Sequence, residues 1–126
     1  MPHLVHALLL GLAGAAGTLL RAGCTNLAAR WCGVAFPWGT LTVNLAGSFA
    51  FGLVVGLARS RAWMTPAIET LLLVGLLGGF TTYSSFAFQS LELAQSGRMV
   101  PAVAYVAATN ACAVLAAWAG LRAGGG

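Results

Sequence analysis

A chain of 126 residues with 60% hydrophobic and only 6% charged side chains, and a mean hydropathy of +0.90, cannot cover itself in polar groups. Soluble domains usually carry about 25% charged residues. The net charge of +4 comes from six arginines spread along the chain, which excludes the clustered basic face of a nucleic-acid binder. These quantities predict an integral membrane protein, a single four-helix domain over residues 1–126.

The first apolar stretch runs from Leu4 to Ala29, long enough to span a bilayer. The basic region that a signal peptide needs is missing, with only His3 and His6 present at this end, so a retained first helix is expected. Its glycines in GLAGAAG do not follow G-x-G-x-x-G, and no strand precedes them. Arg21 lies near its end, where it either snorkels to the interface or sets positive potential over a vestibule.

The second span, Trp38 to Ala58, contains GTLTVNLAGSFAFG. Thr40, Asn44 and Ser48 repeat at i, i+4 and i+8, which puts them on one helical face as a polar track. Asn44 has two donors and an acceptor at mid-helix depth. Both interhelical hydrogen bonding and a ligand role fit that chemistry.

The third span, Ala67 to Ala94, holds LLGGFTTYSSFAFQS. Gly78 and Gly79 weaken the helix, and five hydroxyl residues from Thr81 to Ser85 offer its backbone rival hydrogen bonds. Either the helix breaks, leaving carbonyls for a side chain, water or cation, or it continues with the hydroxyls bonded to their own carbonyls. Tyr83 and Phe86 follow, three apart, with ring edges able to meet an anion. The fourth span runs from Met99 to Leu121, with Pro66 and Pro101 as helix starters. Gly52-x-x-x-Gly56 and Gly75-x-x-x-Gly79 are packing pairs that let helices approach closely in lipid.

Arg59, Arg61 and Arg122 fall on the side of the N-terminus, and Arg30 and Arg98 on the other, with Arg21 deeper. The positive-inside rule gives almost no vote. A chain that inserts both ways and pairs head to tail explains this; so does an orientation set weakly or by a partner. Glu69 and Glu92 stand near opposite ends of the third span, so no acid sits at mid-depth, as a proton-driven exporter would need. Cys24, Cys32 and Cys112 form neither a disulfide framework nor a zinc site, and no catalytic triad or metal-ligand spacing is present. The chain is not expected to be an enzyme.

GAAGTLLR, GTLTVNLAGSFAFG and GLLGGFTTYSSF, in this order, resemble the small fluoride channels called Fluc or CrcB over nearly the whole length. The resemblance implies an all-α membrane protein of four transmembrane helices, the third broken at mid-membrane, in an antiparallel dual-topology homodimer with two fluoride pores. It implies a passive channel of the inner (plasma) membrane that exports fluoride. A structural sodium ion at the dimer interface would be held by the carbonyls of Gly78 and Thr81. Asn44, Tyr83, Ser84, Ser85, Phe86 and Thr109 match the fluoride path and Arg21 the helix-one arginine at its vestibule; Thr40 is expected on the path as a member of the polar track with Asn44. Membrane lipid is the other expected partner. Two departures stand out: Tyr83 replaces a pore phenylalanine, and Ala22 replaces the aromatic after the helix-one arginine. Tyr83 therefore raises the possibility that a paralogous second subunit completes the pore. The competing functions are a small multidrug-type exporter and a non-conducting membrane assembly subunit.

Overall fold

The computed structural model describes residues 2–126. All its regular structure is helical: α1 His3–Cys32, α2 Trp38–Ser60, α3 Pro66–Thr70, a π-helical stretch Leu71–Leu77, α4 Gly78–Phe80, α5 Tyr83–Gln95 and α6 Met99–Ala123. Four membrane-spanning units result, of 30, 23, 30 and 25 residues, the third being Pro66–Gln95. At about 1.5 Å per residue the shortest reaches roughly 35 Å, enough for a hydrocarbon core of about 30 Å. With four crossings and short connections, the two termini lie on one side. This is the architecture of a multi-pass membrane protein, and the spans match those expected from the sequence to within a few residues.

The turns follow local chemistry. Gly33 ends α1 with φ 77°, and Gly97 turns the chain before α6 with φ 79°, a region open to glycine at no steric penalty. Thr65 caps α3 by accepting from the Ile68 N–H, with Pro66 in the first turn, the usual N-terminal arrangement.

Two glycine-lined seams set the packing. Along α2 and α6, Gly52 and Gly120 face the opposite backbone so closely that an added Cβ would overlap the carbonyls of Ala117 and Phe49 respectively. Across the other seam, Gly75 abuts Leu10 and Ala13 of α1, and Gly79 abuts the carbonyl of Gly14. Both small-residue pairs singled out in the sequence therefore serve close helix approach. The wider turn of the π-helical stretch lies beside this second seam.

The buried apolar core is small, grouping Phe86, Leu93, Ala102 and Tyr105 between α5 and α6. Val43 and Leu77 are buried outside that group, but many other leucines, valines and tryptophans point outward, with Leu4, Leu12, Leu19, Val74 and Trp118 all more than 60% exposed. Such surface suits lipid or a second subunit, not water.

Candidate functional site: a cavity beside Thr81 and Thr82

Between α4 and α5 two residues leave helical geometry. Thr81 has φ −84°, ψ 160°, and Thr82 φ −151°, ψ 115°. The hydrogen bonds explain how this conformation is held. In a continuous helix the Thr82 N–H would bond the Gly78 carbonyl, and the Ser85 N–H the Thr81 carbonyl. Here the Thr82 N–H donates to Asn44 Oδ1 at 2.8 Å, and the Ser85 N–H donates to Thr82 Oγ1 at 3.3 Å. Asn44 Nδ2 also donates to the Thr82 carbonyl at 3.0 Å. One side-chain amide thus grips both backbone groups of Thr82, as a neighbouring strand would. Thr82 in turn caps α5, its hydroxyl donating to Ser85 Oγ at 3.0 Å.

The diversion leaves the Gly78 and Thr81 carbonyls without their helical donors. Arg21 Nη1 lies 3.5 Å from the Thr81 carbonyl. The expected vestibule arginine therefore reaches across from α1 to this segment. Gly47 makes room for the arrangement: a Cβ there would overlap Thr81 Cγ2.

A cavity of about 420 Å³ opens beside the two threonines. Asn44 and Ser48 from α2, Tyr83 and Phe86 from α5, and Thr109 and Asn110 from α6 contribute to its wall. Thr109 is 6% exposed, and its buried Oγ1 has no hydrogen-bond partner among the described residues. Burying a hydroxyl in that state costs about 1–3 kcal/mol, so a ligand reaching it would be favoured. Asn44 keeps one N–H beyond those used on Thr82. Tyr83 and Phe86 meet edge-on, centroids 5.5 Å apart at 62°. Tyr83 is 77% exposed, whereas Phe86 is buried.

The residues anticipated from the sequence divide into groups. Asn44, Thr81, Tyr83, Phe86 and Thr109 share the cavity. Ser85 lies just outside it, bonded to Thr82. Ser84 is exposed and absent from the lining. Gly78 is likewise exposed and absent from the lining, its carbonyl lacking the helical donor that Asn44 diverts. Thr40 is buried one helical turn beyond Asn44, and lines a separate cavity of about 180 Å³ with Gln89. Ser48 donates back to the Asn44 carbonyl at 2.7 Å, so its proton is already committed within α2.

Tyr105 and its partner Gln89 were not anticipated from the sequence. Tyr105 is completely buried; its hydroxyl donates to Gln89 Oε1 at 3.0 Å and its ring meets Phe86 at 5.2 Å. A lone tyrosine inside PAVAYVAATN was the available signal, because a phenol buried in an apolar run needs a partner.

The family described as CrcB-like protein, Camphor Resistance (CrcB), matches residues 8–121. Curated relatives named fluoride-specific ion channel FluC include one from Magnetococcus marinus, 44% identical over 113 residues, covering 90% of this chain and 92% of the relative. Another, from Chelativorans sp., is 44% identical over 116 residues, covering 92% and 93%. A third, from Rhizobium meliloti, is 38% identical over 120 residues, again covering 92% and 93%. The match takes in all four spans and both flanks of the cavity, and the chain belongs to the CrcB-like family.

Proposed function

We infer that this protein is a passive, fluoride-selective channel of the bacterial inner membrane that lowers fluoride inside the cell. The buried, unpartnered hydroxyl of Thr109, a residue that lines the same cavity as Asn44, carries this reading, together with relatives that bear the name of fluoride channels. Fluoride is small and strongly hydrated, so a narrow route must replace water's donors one by one. The free N–H of Asn44, the Thr109 hydroxyl and the ring edges of Tyr83 and Phe86 are donors of suitable size and polarity. Each is neutral, which binds the ion weakly enough to release it. A larger halide fits such a route poorly. Ser84 and Ser85 flank the route at the start of α5, and Thr40 extends it along α2.

Thr81 and Thr82 form, in this reading, a mid-membrane discontinuity in the third span. Two copies in antiparallel orientation meet there, giving a homodimer with two pores. The carbonyls of Gly78 and Thr81, released from helical bonding by Asn44 and Thr82, suit a hard monovalent cation. A sodium ion held between the copies would supply fixed positive potential and join them. Arg21, against the Thr81 carbonyl, adds charge of the same sign beside the vestibule. Tyr83 presents its exposed hydroxyl where the family phenylalanine has only a ring.

An exporter of larger cations would need a carboxylate at mid-depth, and the two glutamates sit near the ends of Pro66–Gln95. Expression in a bacterium lacking its own fluoride exporter tests the function. Growth should recover at fluoride concentrations that arrest the parent strain; membrane-inserted protein without recovery would contradict the assignment.

A further inference from the structure

The aromatic contacts do not stop at the cavity. Phe86 meets Tyr105 of α6 at 5.2 Å, Tyr105 meets Phe36 at 5.3 Å, and Phe36 meets Trp38 at 4.7 Å. The first two pairs are edge-on, at 62° and 80°. Phe36 belongs to the short connection between α1 and α2, so the ladder of rings leads from mid-span to one end of the bundle.

Two more cavities accompany it. The one of about 180 Å³ lies between Phe36, Thr40 and Gln89. The other, about 510 Å³, is lined by Gln89, Glu92 and Arg98. Gln89 and Val34 border both, and the Gln89 amide is fixed by the Tyr105 hydroxyl. Phe86, Tyr105 and Gln89, in contact in that order, therefore link the wall of the first cavity to the two beside the loop. Arg98 donates to the Ala35 carbonyl, pinning that loop to the start of α6, and it is otherwise exposed.

We propose that the anion route opens to water at a mouth framed by residues 33–37. Phe36 is the ring that joins the route to this loop, and Arg98 is the charge that fixes the loop and draws the anion. This inference rests on the reading of the chain as an anion channel. A guanidinium stays protonated at any working pH and has five donors, so binding Ala35 leaves others for the cavity. Glu92 on the same wall offsets its charge, which keeps the anion from being held at the mouth.

Thiol modification with reagents of opposite charge separates this role from a purely structural loop. Val34 is 87% exposed and borders both cavities, so Val34→Cys disturbs no core packing. The background replaces the exposed Cys24, Cys32 and Cys112 with alanine. The purified full-length variant in liposomes is treated with sulfonatoethyl or trimethylammonioethyl methanethiosulfonate, adducts of similar size. The anionic adduct should slow fluoride efflux about fivefold or more relative to the cationic one, since unit charges a few ångströms from the ion act on it at about 1 kcal/mol even in water. Phe36→Ile should also slow efflux while the protein stays monodisperse. Wild-type efflux with equal rates for the two adducts would overturn the mouth alone. No fluoride efflux from the wild-type protein would overturn the channel reading and the mouth with it.

Discussion

The Asn44 amide has one carbonyl and two N–H groups, and Thr82 takes the carbonyl and one N–H. Of the two uses left open by its position in the sequence, the interhelical bond is made, and the remaining N–H is the donor that the proposed route would use. Asn44→Asp retains an acceptor for the Thr82 N–H but sets a carboxylate against the Thr82 carbonyl. A buried group left unsatisfied costs about 1–3 kcal/mol, so this variant should lose thermal stability and nearly all fluoride flux; unchanged efflux from liposomes would remove Asn44 from the route. Thr109 makes the converse prediction. Its hydroxyl bonds nothing among the described residues, so the near-isosteric Thr109→Val should leave stability within about 1 kcal/mol or raise it. Flux should nevertheless fall about tenfold, as the loss of one neutral hydrogen bond of about 1.4 kcal/mol implies. Equal flux in the two proteins would make the hydroxyl a bystander.

At the scale of elements, α2 is the scaffold of the site. Its Thr40, Asn44 and Ser48 share one face, but they serve three ends: a lateral cavity, the grip on Thr82, and a bond within the helix itself. The common face was legible from the spacing. Which neighbour each side chain would meet was not, because that depends on how far α2 slides along α5 and α6. Gly47 illustrates the difference. In the sequence it is one glycine among 17, and only the packed helices reveal that Thr81 fills the space of its missing side chain. Gly47→Ala should push Thr81 aside, destabilise the protein by about 1–3 kcal/mol, as overpacking usually does, and depress flux further than the stability loss explains. A melting curve in detergent beside an efflux trace measures both; a silent substitution would show that the fit at Thr81 is loose. The spans themselves were legible because long apolar runs bounded by Arg, Gly and Pro have few alternatives in a bilayer. Tyr105 was not, since a single aromatic in an apolar helix looks like packing until its hydroxyl is seen on Gln89.

The whole molecule leaves much apolar surface uncovered, and a cavity wall bearing Asn110 and the exposed Tyr83 opens outward. Amide and phenol groups facing lipid are costly, which supports a second copy over that wall in the proposed assembly. The arginines divide three against two between the ends, with Arg21 deeper, so neither orientation is favoured by charge. Reporter domains fused to the C-terminus, one active only in the cytoplasm and one only outside it, should therefore both give signal. Activity of one reporter alone would contradict insertion in both directions. Above orientation and assembly stands the claim that neutral donors beside Thr81 and Thr82 carry fluoride across the membrane. Efflux from liposomes holding the purified protein, followed with a fluoride-selective electrode after an ionophore removes the opposing voltage, tests it most directly. Rapid fluoride release with chloride retained is the expected result; no release, or release of both halides alike, would contradict that role for the donors.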